Sequence, residues 1–156
     1  MKVKVVSVAS KHNLDKVKEV GASAVFDYKS PTVADDIVAA LKGTEFAGIC
    51  DTIGTDASAK AWAPVYEKLG GRYGSVLPAT VPAGIEGTAI VSSSIVSDDR
   101  FIADGVWGEW VPKALESGAL RAFPPPKVIE GGLDAVQKGL DAQKKGVSFA
   151  KIVVAL

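Results

Sequence analysis

Three polar clusters in this 156-residue chain each follow an apolar run, and each could meet a small anion or a flat ring. Ser10-Lys11 follows the valine-rich stretch from Val3 to Ala9. A hydroxyl beside an ammonium group suits a phosphate. Dinucleotide folds that hold a ribose 2′-hydroxyl place an acidic residue at such a point, and a 2′-phosphate needs the reverse. The pair therefore leans to NADP(H), although a polar helix-capping turn is the simpler reading of these two residues alone. Asp27-Tyr28 ends the second run, where an aromatic side chain could flank an adenine, reach its phosphate, or sit half-buried at a sheet edge. Asp51-Thr52-Ile53-Gly54 ends the third, and Gly54 permits close backbone approach to a ligand.

Other reactive types carry less. His12 could be imagined as an acid–base group, but lying in a polar turn it reads as a solvent-facing residue. Cys50 falls within an apolar strand and reads as a buried, inert thiol. Trp107 and Trp110 are three apart on one helix and read as core or interdomain packing, because no basic stripe accompanies them. Asp35-Asp36 and Asp98-Asp99 stand early in helices, where negative charge complements the dipole. No residue is assigned as catalytic. One histidine and one cysteine cannot supply a tetrahedral zinc site.

Short strands alternating with amphipathic helices must position these clusters. Strands are expected over Val3 to Ala9, Ala24 to Phe26, Phe46 to Cys50, Arg72 to Leu77 and Thr88 to Val96. Between them, Asn13 is placed to cap a helix carrying Leu14, Val17 and Val20. Ser30-Pro31 opens a second helix, in which Val33, Ile37 and Leu41 recur every four residues. Asp56 to Lys68 forms a third, with Pro64 expected to kink it. Ala79 to Gly87 is loop. A long helix runs from Asp98 to about Ser117. The pattern then changes to a short strand at Leu120 to Phe123, the stiff Pro124-Pro125-Pro126, a continuation over Lys127 to Ile129, a helix through Leu133, Val136 and Leu140, and a final strand from Lys151. This rhythm predicts an α/β fold with a mostly parallel sheet covered on both faces.

Composition removes several functions. Eighteen basic and eighteen acidic residues cancel, which argues against a nucleic-acid partner. No apolar run reaches membrane-spanning length. No secretory leader is evident at the start. A lone cysteine fits a reducing compartment, and a cytoplasmic location is expected.

The segments together resemble the medium-chain dehydrogenase/reductases. Val8-Ala9-Ser10 and the stretch from Val17 to Tyr28 are similar to that family's second Rossmann strand, helix and third strand. Asp51-Thr52-Ile53-Gly54, Gly70-Gly71-Arg72 and the closing stretch from Gly146 to Val154 follow at its spacing. Ser30 to Gly43 and Leu140 to Gly146 resemble the fungal zinc-binding-oxidoreductase-like branch near the trans-acting enoyl reductases. The resemblance implies NADPH-dependent reduction of a conjugated alkene or a carbonyl, without zinc. It places Ser10 and Tyr28 near the adenosine 2′-phosphate, with Lys11 standing in for the lysine the family often has where this chain has Asn13. It sets Asp51, Ile53 and Gly54 along the cofactor cleft, Leu77 (within Val76-Leu77-Pro78) near the nicotinamide, and Lys151 at the cofactor's border.

The departures from that pattern shape the expectation. The family's first Rossmann strand, its glycine-rich turn and its catalytic domain have no counterpart here, and no G-x-G-x-x-G opens a helix. Residues 1–118 read as a partial dinucleotide-binding domain, and 119–156 as a strand-helix-strand remnant that returns to a catalytic domain. A central strand of about five residues makes about ten ladder bonds, each worth roughly 0.5–1.5 kcal/mol net. Three outcomes are expected to compete: the opening strand pairs directly with the strand at Phe46 to Cys50, a second copy fills the gap through exposed sheet edges, or the chain is marginally folded. The expected function is an incomplete NADP(H)-dependent oxidoreductase without turnover of its own and with weak or lost cofactor binding. The alternative is a non-catalytic module that binds an adenine nucleotide or a partner.

Overall fold

The structure, a computed structural model, describes residues 3–77, 85 and 87–156. The loop expected over Ala79 to Gly87 and the site neighbour Pro78 lie largely outside the described residues. The chain forms two compact units, Met1–Asp98 and Asp99–Leu156. The sequence reading set its division later, after residue 118.

The first unit alternates strands and helices: β1 (Val6–Ala9), α1 (Leu14–Glu19), β2 (Ala24–Asp27), α2 (Val33–Leu41), β3 (Gly48–Asp51), α3 (Asp56–Leu69), β4 (Arg72–Ser75) and β5 (Gly87–Ala89). Every ladder is parallel. β1 pairs with β2 in one sheet, with Val6 opposite Ala24 and Val8 opposite Phe26. β3, β4 and β5 form a second sheet in that order. Of the three outcomes weighed from the sequence, the direct pairing of β1 with β3 is not made among the described residues. Among the described residues, β1 ladders only with β2 and β3 only with β4.

What joins the two sheets is a helical floor. Val33, Ile37 and Val65 are buried, and Val6, Val8, Phe26, Ile49 and Trp62 pack against them. The period-2 alternation of the strands puts Val6, Val8 and Ile49 on this face. The four-residue recurrence in α2 lines up its own apolar stripe. α1 packs on β1 and β2 without entering that cluster. At the start of the β3–β4 ladder the two backbones come so close that a Cβ on Gly48 would fall 2.1 Å from the Arg72 carbonyl oxygen. Only glycine fits there.

Several expectations are corrected. Cys50 is exposed rather than buried, because among the described residues no strand pairs with the other edge of β3. Asn13 makes no side-chain cap; its backbone N–H closes a 3-10 turn onto the Ser10 carbonyl at 2.8 Å. Pro31 falls in the turn before α2, whose N-cap is Thr32. Pro64 lies inside α3, which runs unbroken from Asp56 to Leu69. The strand expected to reach Val96 stops at Ala89, and Ser92–Val96 forms a 3-10 turn. Three successive serine hydroxyls favour such local turns over a ladder.

The second unit holds α4 (Arg100–Ile102), a π-helical stretch over Ala103–Trp110, α5 (Val111–Glu116), β6 (Pro126–Ile129), a 3-10 turn over Gly132–Ala135, α6 (Val136–Lys144) and β7 (Lys151–Val154). The long helix expected from Asp98 to Ser117 is thus interrupted by a widened middle, where Gly105 and Gly108 weaken the α pattern. Trp107 and Trp110 are exposed in it rather than packed in a core. No strand forms at Leu120 to Phe123, because the Leu120 N–H bonds back to the Ala114 carbonyl at the end of α5. β6 and β7 pair in parallel, with Ile129 opposite Val154. α6 packs on β7, where a Cβ on Gly139 would meet the Val154 side chain at 2.7 Å.

Candidate functional site

In a parallel sheet all carboxyl ends emerge on one side, where ligands of open α/β folds collect. Two clusters form at such ends in the first unit. The first closes β1 and β2. Ser10 follows β1, and its Oγ donates to the Tyr28 hydroxyl, which follows β2, at 3.4 Å. The Tyr28 N–H in turn bonds the Ala9 carbonyl. Lys29 holds its Nζ 5.8 Å from the centre of the Tyr28 ring. Its backbone N–H is fixed by Asp27 Oδ1 at 3.0 Å. Lys11 is exposed at the head of the 3-10 turn that Asn13 closes. Two hydroxyls and two ammonium groups on adjacent strand ends are a donor set that fits a phosphate.

The second cluster is organised by Asp51, the last residue of β3. It is buried, at 3% exposure. Its Oδ1 accepts the N–H groups of Ile53 and Gly54, both at 3.0 Å. Its Oδ2 accepts the Ser58 hydroxyl at 2.7 Å and the Tyr73 hydroxyl at 2.8 Å. Four donors occupy the roughly four acceptor sites of a carboxylate. Burial alone would raise its pKa, but the Gly54 N–H, the Ser58 and Tyr73 hydroxyls and the Ile53 N–H together hold it below the ordinary value. Burial, then the hydrogen bond to Asp51 and its negative charge, push the Tyr73 phenol well above its usual range. The Asp51 carboxylate is thus spent on shaping the turn between β3 and α3.

That turn brings two expected residues together. Gly54 has φ +65°, and a Cβ there would fall 3.0 Å from the Leu77 nitrogen and 3.1 Å from its Cβ. Leu77 follows β4, where the buried Ser75 Oγ accepts its N–H at 3.3 Å. Ile53 is 66% exposed and Leu77 48%, so the ends of β3 and β4 carry an apolar surface suited to a flat ring. Thr55 then starts α3 with a reciprocal cap: its Oγ1 accepts the Ser58 N–H at 3.2 Å, and Ser58 Oγ accepts the Thr55 N–H at 2.9 Å.

Lys151 belongs to the second unit, at the start of β7, exposed, with its N–H on the Pro125 carbonyl at 3.1 Å. Three residues escaped the sequence reading. Lys29 stood beside Tyr28 and was readable as a second cation. Ser58 was readable from Thr55-x-x-Ser58, which has the spacing of a cap. Tyr73 carried no local signal, because its contact with Asp51 spans 22 residues. Among the described residues no group of three or more His, Cys, Asp or Glu could hold a metal ion.

No protein-family model matches the chain. Curated relatives do. It is 38% identical to Dehydrogenase orsE of Emericella nidulans across 99% of this chain and 44% of that protein. It is 37% identical to the zinc-binding alcohol dehydrogenase domain-containing protein cipB of the same species, across 97% of this chain and 48% of that one. Trans-enoyl reductase himH of Aspergillus japonicus is 32% identical across 99% and 45%. The chain spans about half the length of these relatives. Among solved structures, the ER cyclopropanase CurF of curacin A biosynthesis superposes with TM-score 0.67 at 19% identity, covering 97% of this chain and 47% of that one. A Mesorhizobium loti protein assigned as an NADPH:quinone reductase gives the same TM-score at 15% identity, covering 97% and 45%. The fold is that of a Rossmann-like α/β domain. The chain belongs to the medium-chain dehydrogenase/reductase superfamily, beside fungal dehydrogenases and trans-enoyl reductases.

Proposed function

We propose that this chain is the nucleotide-holding portion of an NADP(H)-dependent oxidoreductase that reduces an alkene or a carbonyl. It corresponds to the C-terminal half of the longer relatives. The observation that carries this reading is the meeting of Ser10, Tyr28 and Lys29 at the ends of β1 and β2, which selects a phosphorylated ribose over a free 2′-hydroxyl. Tyr28 offers its exposed ring to the adenine, and Lys11 adds a second cation. Asp51 holds the β3–α3 turn, so that Ile53, Gly54 and Leu77 present an apolar wall further along the sheet. When bound, NADPH supplies a hydride; this chain's part is to orient the dinucleotide and to exclude water along that wall.

Turnover needs substrate and nicotinamide held at near-attack distance. The chain supplies one wall of such a cleft and no glycine-rich cradle for the pyrophosphate. It therefore binds the adenosine end weakly and does not turn over alone. With its single thiol it belongs in a reducing cytoplasm. Isothermal titration with NADPH, NADH and 2′-phospho-AMP tests the reading. Comparable affinity for NADPH and 2′-phospho-AMP, and none for NADH, supports a 2′-phosphate site. No heat from any of the three removes it. Clear NADPH oxidation by the pure chain with enone or quinone substrates would overturn the expectation of no turnover.

A second reading, a non-catalytic nucleotide-binding module, is favoured by one feature: the polar donor set is confined to the β1–β2 end. Both readings expect no oxidation by the pure chain, so the titration separates them: equal affinity for NADPH and 2′-phospho-AMP favours the adenosine-only module, and tighter binding of NADPH favours the oxidoreductase portion.

A further inference from the structure

We propose that the cleft between β6 and α6 in the second unit is a binding site for a soluble phosphate monoester that carries a short apolar chain. The cleft measures about 790 Å³, a size that suits a small molecule, and is built wholly from residues of that unit. Three ammonium groups border it: Lys127 from β6, with Lys138 and Lys145 from the side of α6. Lys138, Ala142 and Lys145 stand at i, i+4 and i+7, which puts them on one helical face. The sequence concentrates positive charge in this region. The chain as a whole is neutral, yet from Arg121 onward it carries six basic residues and three acidic ones. Among the described residues the ion pairs are Lys68–Asp35 and Arg100–Asp104, so none of the three cleft lysines is tied to a carboxylate.

Two carboxylates also line the cleft, Glu130 and Asp141. Asp141 Oδ1 accepts the Gln137 amide at 2.9 Å, one turn back along α6. Three cations against two carboxylates leave a positive surplus that an anion completes. The carbonyls ending α6 are already occupied, that of Asp141 by the Lys145 N–H at 3.1 Å and that of Gln143 by the Gly146 N–H at 3.0 Å. The donor types select the anion. A planar carboxylate is met best by an arginine fork, and among the described residues no arginine lines this cleft. Lysines are point charges with rotatable donors, and three of them can each meet one terminal oxygen of a phosphate monoester. Val128, 50% exposed, joins Ala142 and Val147 in an apolar wall that a short alkyl chain would cover. The nucleotide reading uses none of these residues.

The probe is hexyl phosphate, added to the full chain without nucleotide. Acetylation by N-hydroxysuccinimidyl acetate, resolved by mass spectrometry, reads each lysine. The expected result is about fivefold slower acetylation of Lys127, Lys138 and Lys145 together, while the exposed Lys60 and Lys113 keep their rates. Hexanol should protect none of the three, and inorganic phosphate should need about tenfold more to protect them. Glu130→Gln removes an opposing charge and should lower the half-protecting concentration about threefold. Lys138→Ala, read at Lys127 and Lys145, should raise it by about as much and leave the urea midpoint in place. No protection, protection of one of the three alone, or equal slowing of every lysine overturns the proposal. So does hexyl phosphate acting no better than inorganic phosphate, which would mean an adventitious ion only. Better protection by hexanoate would make this a carboxylate site, and protection by phosphatidic acid vesicles but not by hexyl phosphate would make it a membrane contact; either result also overturns it. A separate arm with 2′-phospho-AMP reads Lys11 and Lys29, so failure of the nucleotide reading and failure at this cleft are told apart.

Discussion

Replacing Asp51 should show that its carboxylate is a keystone of the fold and not a ligand contact. Asp51→Ala removes the acceptor of four hydrogen bonds. The Ile53 N–H and the Ser58 hydroxyl can turn to water or to the Thr55 cap. The Gly54 N–H and the Tyr73 hydroxyl are buried and cannot. A hydrogen bond to a charged group is worth about 1.5–3 kcal/mol, and a buried donor left alone costs its desolvation. Two such donors give a loss of about 3–5 kcal/mol, partly offset because the carboxylate no longer has to be buried. Tyr73→Phe removes one bond and leaves three, for about 1–2 kcal/mol. In the double variant the Tyr73 change should cost almost nothing, so the pair couples by about 1 kcal/mol or more.

Urea unfolding followed by tryptophan fluorescence measures all four corners of this cycle. The pH dependence follows from the direction of the shift. The folded pKa of Asp51 lies below its unfolded value of about 3.9. Its contribution is complete above that value and is lost as pH falls through the folded pKa. The wild type should therefore lose more stability than Asp51→Ala between pH 5 and about pH 2. An Asp51→Ala cost under about 1 kcal/mol, or strict additivity with Tyr73→Phe, would refute the keystone role.

Other outcomes follow from the same geometry. Tyr73 has a folded pKa raised above its unfolded value, so its contribution holds below about pH 10 and is lost above; ultraviolet titration, with Tyr73→Phe as the difference, should show this phenol ionising only as the fold is lost. Gly54→Ala, at φ +65° and against Leu77, should lower stability by about 1–3 kcal/mol in the same urea assay. Tyr28→Phe and Lys29→Ala should each weaken 2′-phospho-AMP binding by about three- to tenfold in calorimetry while leaving the urea midpoint unchanged. Lys68→Ala should change stability by less than about 1 kcal/mol, because the Lys68–Asp35 pair at 2.5 Å is exposed on both sides.

Where the fold was legible in the sequence, the signal was local. The valines of β1, the four-residue recurrence of Val33, Ile37 and Leu41, and the Asp51-to-Gly54 turn each declare themselves within a few residues. Ser10 and Tyr28 could be paired only by supposing that their strands are neighbours, which they are. The misreadings lie where tertiary context decides. Cys50 sits in an apolar run, and such a run is buried only if strands flank it on both sides; here one side is a cleft. The stretch from Asp98 to Ser117 keeps a helical period, but two glycines let its middle widen. The Asp51–Tyr73 bond links residues whose separation no local pattern encodes.

The central claim is that the native chain holds a site for a 2′-phosphorylated adenosine. The most direct measurement is thermal unfolding of the purified chain with and without saturating NADPH, with NADH as the control. A ligand that binds only the native state raises the midpoint by mass action. The account predicts a cooperative transition that NADPH raises and NADH leaves in place. A transition indifferent to both nucleotides, or raised equally by both, would contradict it.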